Sequence, residues 1–176
     1  MLEPIIQDYI RTCTEMDRDG FCERFDAPVL VALTPGEMQT FQLAATGMAT
    51  PDRPAAHGGH GHRLDPRMPV IELRKARGGR AYEVYIGRSE ENDVVILDET
   101  VSSRHARVIL ERAGVFMLQD LDSTNGTALN QSPLLADRAV ELKDGDAIAF
   151  GDADYLFFTP GGLYDAVASL AAEPPG

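Results

Sequence analysis

The chain has 176 residues, enough for one domain with an appendage or for two small domains. Its hydrophobic content of 44% and charged content of 25% are ordinary for a soluble globular protein. The net charge of −12 argues against DNA or RNA as a partner, and no apolar run approaches the ~18 residues that span a bilayer. Because no basic signal region opens the chain, we predict a cytoplasmic protein without a membrane partner. Cys13 and Cys22 form neither a disulfide framework nor a CxxC site.

Residues 1–45 are predicted to be a helical or extended N-terminal segment whose role the sequence leaves open. Apolar side chains at helical spacing predict an amphipathic helix over residues 2–17, ended by a turn at residues 17–20. A second short helix is predicted at residues 21–25, followed by a brief buried strand or extended run at residues 29–33. The apolar face of the first helix can pack within a small N-terminal unit, on the rest of the chain, or against another protein.

Residues 46–68 are predicted to be a flexible linker, because glycine and proline recur there and little can be buried. The linker carries three histidines within six residues, His57, His60 and His62. Such a tract can bind Zn²⁺, Ni²⁺ or Cu²⁺, so a metal-dependent enzyme is one function to consider. A catalytic metal site needs ligands fixed by a rigid scaffold, which this tract does not supply, and the sequence therefore favours no metal and no cofactor.

From residue 70 the sequence changes to short apolar runs separated by turn signals, which is typical of β-strands. The predicted strands cover residues 70–74, 82–87, 94–97, 106–110, 115–119, 127–129, 138–142, 147–150 and 155–159. Many short strands with regular turns predict an all-β sandwich over residues 69–160. Residues 161–176 are predicted to form a short C-terminal helix, at residues 162–170, and a tail.

Three of the predicted loops carry residue types that suit a phosphate. Their motifs are Gly87-Arg88, Ser102-Ser103-Arg104-His105 and Ser123-Thr124-Asn125-Gly126-Thr127. Arginine is a fixed cation whose fork of donors matches phosphate, and serine hydroxyls and loop amides add neutral donors. If the loops converge, they form a pocket for a small dianion; if they do not, they are ordinary turns.

In this order and at this spacing, the three motifs resemble the forkhead-associated (FHA) domain, a phosphothreonine-binding module. The resemblance covers residues 69–160, a little over half of the chain. It implies an all-β fold, an FHA-type β-sandwich of two sheets with its binding loops at one end. The mainly helical N-terminal extension and the linker would precede this sandwich.

The resemblance also implies roles for particular residues. Those expected to contact a phosphopeptide are Arg88, Ser102, Ser103, Arg104, Thr124 and Asn125. Arg88 would grip the phosphate, Ser102 would hydrogen-bond to it, and Arg104 would either add a second cation or face solvent. Thr124 would lie beside the phosphothreonine, and Asn125 would hydrogen-bond to the flanking peptide backbone. Structural support of the site is expected from Gly87, His105 and Gly126.

These roles predict a phosphothreonine-dependent adaptor in Ser/Thr kinase signalling, with the kinase or its substrate as the phosphorylated partner. No enzymatic activity is expected, because no Ser or Cys nucleophile with an orienting partner is evident beside His105. The alternative is a phosphate-independent protein-interaction module whose pocket is unused.

Overall fold

The computed structural model describes residues 4–33, 63–75, 83–112 and 114–172. Within these ranges lie three α-helices and eleven β-strands. The helices are α1 (Ile6–Glu15), α2 (Arg18–Arg24) and α3 (Pro160–Ala172). The strands are β1 (Val29–Ala32), β2 (Val70–Glu72), β3 (Glu83–Gly87), β4 (Val94–Val95), β5 (Ala106–Arg112), β6 (Val115–Asp120), β7 (Thr127–Leu129), β8 (Ser132–Pro133), β9 (Val140–Leu142), β10 (Ala147–Phe150) and β11 (Ala153–Phe158).

The strands form two sheets. The six-stranded sheet has the order β2-β1-β11-β10-β7-β8, and the five-stranded sheet has the order β4-β3-β5-β6-β9. The strands pair antiparallel in both sheets, except for the short parallel pair of β3 and β4. The predicted all-β class with two sheets is therefore confirmed.

Apolar side chains from both sheets fill the space between them. Leu30 and Phe157 enter this core from the six-stranded sheet, and Ile86 and Leu118 enter it from the five-stranded sheet; all four are fully buried. Alternate residues of a strand point to opposite faces, so each strand contributes every second side chain to this layer. The two sheets are thereby fixed as a sandwich, and the loops at its ends are held on a rigid support.

A second core lies on the outer face of the six-stranded sheet, where the three helices pack. Val29 and Val31 of β1 and Leu156 of β11 point to this side. The helices cover them with the buried side chains of Ile6, Tyr9, Phe21, Leu163 and Val167. The molecule therefore has three layers, namely helices, the six-stranded sheet and the five-stranded sheet.

Strand β1 connects the N-terminal segment to the sandwich. It lies between β2 and β11, with Val31 opposite both Val70 and Leu156. Because its two faces meet two different cores, it reads as a continuous apolar run instead of an alternating one. The sequence allows three packing partners for the first helix, and the structure shows that it packs on the rest of the chain. The six-stranded sheet also includes β1, which precedes the sandwich predicted at residues 69–160.

The helix bounds differ from the predicted ones, since α1 spans Ile6–Glu15 instead of residues 2–17 and α2 spans Arg18–Arg24 instead of residues 21–25. The turn predicted at residues 17–20 is wrong, because Met16 ends α1 in an extended conformation and α2 begins at Arg18. The Asp17 carboxylate accepts a hydrogen bond from the Gly20 backbone N–H at 2.9 Å, which caps the N-terminus of α2. The predicted C-terminal helix is confirmed and is longer, since Pro160 occupies its first turn.

Several predictions concern residues outside the described ranges. His57, His60 and His62 lie there, so the metal-binding hypothesis for that tract stays a prediction. Within the described residues, no cluster of three or more His, Cys, Asp or Glu side chains is placed to hold a metal ion. Cys13 and Cys22 are free thiols. None of the helices in the described part of the chain is long and apolar enough to cross a membrane.

Candidate functional site

The three loops with phosphate-suited motifs meet at one end of the sandwich. They are the β3–β4 loop, the β4–β5 loop and the β6–β7 loop. Together they line a pocket of about 220 Å³. Its lining residues are Arg88, Glu99, Thr100, Val101, Ser102, Ser103, Thr124 and Asn125.

The β3–β4 loop begins by joining the β4–β5 loop through the backbone. Arg88 N–H donates to the Ser102 carbonyl at 2.9 Å, and Arg88 Nε donates to the Val101 carbonyl at 3.2 Å. Gly87, the last residue of β3, lies so close that a Cβ atom there would be 2.5 Å from the Ser103 carbonyl oxygen. Only glycine allows this approach, and the guanidinium of Arg88 is held at the pocket as a result.

Asn92 fixes the same two loops from beneath. Its side chain is buried, and Nδ2 donates to the carbonyls of Ser89 at 2.8 Å and Ser103 at 2.6 Å. The same two carbonyls also accept backbone N–H groups, Ser89 from Asn92 and Ser103 from Ser89, each at 3.1 Å, so the Asn92 side chain adds a second hydrogen bond to both loops. Asn92 could not be recognised as a site residue from the sequence, because a lone Asn in a polar loop indicates only a turn.

Ser102 and Thr124 connect the second and third loops. Thr124 N–H donates to Ser102 Oγ at 2.9 Å, whereas the Ser102 Oγ to Thr124 Oγ1 distance is a long 3.4 Å. The Ser102 hydroxyl thus accepts from the backbone and keeps its own proton for a ligand. A serine oriented in this way can donate to an anion in the pocket.

His105 lies fully buried under the pocket and joins both of these loops. Its Nδ1 accepts a hydrogen bond from Ser102 N–H at 3.0 Å, so Nε2 carries the proton and donates to the Gly126 carbonyl at 3.1 Å. Phe150 packs against the ring edge to face at 5.7 Å between centroids. Burial lowers the pKa of His105 below its usual value, although the bond to Gly126 and the charge of Asp120 oppose this. The neutral imidazole with its proton on Nε2 is therefore the form that satisfies both hydrogen bonds.

Asp120 organises the start of the third loop. Its carboxylate accepts from the backbone N–H and hydroxyl of Ser123, at 3.0 and 2.6 Å, and from the Thr127 hydroxyl. Burial alone would raise the pKa of this carboxyl, but the hydrogen bonds from Ser123 and Thr127 together hold it below the usual value. Gly126 then closes the loop at a φ of +81°, in the left-handed region that favours glycine.

Thr100 connects the pocket to the β10–β11 turn. The Thr100 carbonyl accepts from Asn125 Nδ2 at 2.7 Å, and its hydroxyl accepts from Asp152 N–H at 2.8 Å while donating to Asp98 at 2.6 Å. A Cβ on Gly151 would lie 2.6 Å from this residue, so the turn packs tightly against it. The β4–β5 loop is therefore fixed on two sides.

Arg104 is directed elsewhere. Its guanidinium lies over the Tyr85 ring, 4.1 Å from the centroid, and lines a neighbouring pocket of about 330 Å³ with Lys75 and Asp93. The second cation expected at the phosphate motif is thus stacked on an aromatic ring. Among the predicted contact residues, the structure brings together Arg88, Ser102, Ser103, Thr124 and Asn125, and it places Arg104 outside their pocket.

Three further lining residues, Glu99, Thr100 and Val101, were not identified by sequence reasoning. Glu99 is exposed in the same pocket as Arg88, and no ion pair between described residues includes either side chain. The three residues directly precede the Ser102 motif, so their loop position was the available signal. Chemically, the pocket offers one guanidinium, oriented hydroxyls and a side-chain amide, which suits the binding of a small anionic ester.

Comparison with known proteins agrees with this geometry. The family model of the FHA domain matches residues 84–151. The glycogen accumulation regulator GarA of Mycolicibacterium smegmatis is 41% identical over 73 residues, which is 42% of this chain and 44% of GarA. The transcriptional regulatory protein EmbR of Mycobacterium tuberculosis is 33% identical over 103 residues, covering 56% of this chain and 26% of EmbR. The chain thus spans less than half the length of these curated relatives.

Structurally similar solved proteins include the FHA domain of FhaA bound to the intracellular domain of Rv3910. That domain is 30% identical, with 51% of this chain and 87% of that chain covered and a TM-score of 0.43. The N-terminal FHA domain of Rad53p from S. cerevisiae, bound to a phosphothreonine peptide, is 22% identical with a TM-score of 0.46, and the match covers 55% of this chain and 89% of that one. The three motifs lie within the stretch that the FHA-domain model matches, so residues 84–151 of this chain are similar to the FHA-domain family.

Proposed function

We propose that this protein is a phosphothreonine-dependent adaptor that binds a phosphorylated segment of a Ser/Thr kinase or of a kinase substrate. The observation that carries the proposal is that Arg88, Ser102, Thr124 and Asn125, from three separate loops, line one pocket. The match of residues 84–151 to the model of the FHA domain, a phosphothreonine-binding module, supports the same ligand class for this pocket.

The contacts of each residue within the protein leave it available for a role in ligand binding. Arg88 supplies the fixed cation for a phosphate that carries about −1.5 to −2 charges. Ser102 donates its hydroxyl proton to a phosphate oxygen, and Thr124 lies beside the threonine. Asn125 donates once to Thr100 and keeps Oδ1 and its second N–H for the peptide backbone. Gly87, His105 and Gly126 hold the loops without contacting the ligand.

The expected affinity is in the micromolar range. Hydrogen bonds to charged groups contribute about 1.5–3 kcal/mol each. Four such bonds at the upper value give about 12 kcal/mol, and the lower estimate of about 4 kcal/mol for the entropy of association leaves about 8 kcal/mol, which corresponds to a micromolar Kd. This is a reversible complex that a phosphatase can dissolve, as expected of a signalling adaptor.

The proposal extends to the organisation of the chain. Residues 69–160 contain the recognition surface, and residues 4–33 support it. The linker predicted at 46–68 is too long at its C-terminal end, because Leu64 and Met68 are buried in the outer core; residues 46–62 lie outside the described ranges, and the linker there stays a prediction. We also propose that the protein is cytoplasmic and not an enzyme, because the pocket chemistry serves binding.

The test is a calorimetric titration of the full chain with a degenerate phosphothreonine peptide library and its unphosphorylated counterpart. Wild type is expected to bind only the phosphorylated library, and Arg88→Ala to weaken binding at least tenfold, since it removes the cation. Arg112→Ala is the matched control, because Arg112 is an exposed arginine at the far end of β5 from His105.

The opposite outcome is equally clear. If neither library binds, the phosphothreonine proposal fails. If partners captured from a lysate stay bound after phosphatase treatment and to Arg88→Ala, the phosphate-independent interaction module replaces it. Thermal melts of both variants separate lost binding from lost folding.

A further inference from the structure

The charge balance of the pocket is incomplete for a phosphorylated ligand. Among the described lining residues, Arg88 is the cation and Glu99 is the anion, so these two side chains cancel. Arg104 does not change this balance, because it lines the neighbouring pocket and stacks on Tyr85. A phosphothreonine adds about −1.5 to −2 charges, and the occupied pocket keeps that excess.

Glu99 is held at a defined place beside this excess charge. The next residue, Thr100, is tied to Asp98, Asn125 and Asp152 by hydrogen bonds of 2.6 to 2.8 Å. The backbone of Glu99 is therefore anchored on its C-terminal side, whereas the Glu99 side chain is exposed. No ion pair between described residues neutralises it, so its carboxylate is available to a group on the ligand.

The surrounding residues add to the negative electrostatic potential at the pocket. Residues 69–160 carry 10 basic and 16 acidic side chains. The Asp98 carboxylate accepts from the hydroxyl of the lining residue Thr100, one position beyond Glu99. An acidic side chain on the ligand would face the Glu99 carboxylate and the phosphate together, whereas a basic one would be attracted to both.

We propose that Glu99 is a specificity-determining residue that selects phosphothreonine segments with a lysine or arginine close to the phosphothreonine. This rests on the proposed function, and it narrows the partner class to basic phosphorylated segments. The ligand's cation lies between its own phosphate and the Glu99 carboxylate, and it supplies the positive charge that Arg104 does not. The preference is electrostatic, so it decreases as salt screens the interaction.

The experiment uses phosphothreonine peptides that differ at one flanking position at a time, with Lys, Gln or Glu placed there. Binding is measured by fluorescence anisotropy at low and high salt for wild type, Glu99→Gln and the control Glu111→Gln. Glu111 is an exposed glutamate near the far end of β5. Both variants remove one negative charge, so only the position of the charge differs.

Wild type and Glu111→Gln are expected to bind the Lys peptide about two- to fivefold more tightly than the Gln peptide at one or more positions. Glu99→Gln is expected to lose that preference and to bind the Gln peptide at least as tightly as wild type, since a like charge beside the phosphate is gone. High salt should reduce the wild-type preference.

Two outcomes overturn the inference, and they are distinguishable. Equal binding of the three peptides by wild type, or a preference that Glu99→Gln keeps, refutes the role of Glu99 while the phosphothreonine site stands. If no phosphothreonine peptide binds at all, the proposed function itself fails, and the inference fails with it.

Discussion

At the scale of single residues, His105 shows how the site depends on side chains that the pocket does not expose. The neutral ring has one acceptor and one donor, and both are used, by Ser102 N–H and by the Gly126 carbonyl. Protonation would place a second N–H against the Ser102 donor and break that bond. The loop geometry is thus coupled to the charge state of one buried imidazole.

This coupling gives a pH dependence of stability. Because the pKa of His105 is lowered by burial, the unfolded chain takes up this proton first as pH falls. The stability is fully present above the unfolded pKa of about 6.5 and is lost as pH falls toward the lower folded pKa. We expect urea midpoints of wild type to fall between pH 7.5 and 5.5.

The matched measurement is the same pair of urea curves for His105→Gln. This variant should be less stable at both pH values by about 2–4 kcal/mol, because buried partners lose their hydrogen bonds. Its decline between the two pH values should be shallower than in wild type. An equal decline in both proteins would exclude His105 as the titrating group.

Sequence reasoning worked for residues whose motif carries the chemistry and failed where direction mattered. Arg88 and Ser102 could be assigned to one pocket from their motifs, and the structure brings them together. Arg104 belongs to the same motif, yet it stacks on Tyr85, because the sequence does not state to which side of a loop a side chain turns. Asn92 was not identified, since its role depends on loops that are distant in sequence.

At the scale of elements, Thr100 joins the β4–β5 loop to two other loops. Thr100 binds Asp98, Asn125 and the β10–β11 turn through one hydroxyl and one carbonyl. Thr100→Val keeps the shape and removes the hydroxyl. We expect a loss of about 1–2 kcal/mol in unfolding free energy and a several-fold weaker affinity for phosphothreonine peptide, because the loop is released from the turn.

Thr100→Ser is the conservative partner for this measurement, since it keeps the hydroxyl. It should retain most of the affinity that Thr100→Val loses. Chemical denaturation gives the stability term and peptide titration gives the affinity. If Thr100→Val binds the peptide as tightly as wild type, or if Thr100→Ser loses as much affinity as Thr100→Val, the hydroxyl is not what distinguishes this residue.

Strand β1 shows what the sequence can and cannot state about an element. Its apolar run predicted a buried strand or extended segment, and it is a strand buried on both faces. Its neighbours β2 and β11 could not be predicted, because β1 is separated from both by many residues and register across such distances has no local signal. The turn predicted at residues 17–20 was wrong because Asp17 suits a helix N-cap as well as a turn.

At the scale of the whole molecule, the helical layer and the sandwich share the six-stranded sheet. Leu163 of α3 is fully buried against that sheet in the outer core. Leu163→Ala should lower the unfolding free energy by about 2–5 kcal/mol through lost burial and a residual cavity. Phosphothreonine peptide affinity of the folded protein should stay unchanged, because the change lies outside the pocket.

Leu97→Ala is the matched control for stability, since Leu97 is 86% exposed. It should change the unfolding free energy by no more than about 0.5 kcal/mol. Denaturant titration followed by circular dichroism measures both variants. A Leu163→Ala protein as stable as Leu97→Ala would show that the helical layer does not contribute to the stability of the sandwich.

His105 and Asp120 support the loops, whereas the pocket residues contact the ligand, and this difference affects how any alanine scan of this protein is interpreted. Neither residue lines the cavity, yet His105 binds the lining residue Ser102, and Asp120 binds Ser123, the neighbour of the lining residue Thr124. A screen scored only by peptide capture will rank both beside Arg88 as apparent contact residues. Melting curves measured for the same variants distinguish side chains that contact a partner from those that stabilise the loops of the pocket.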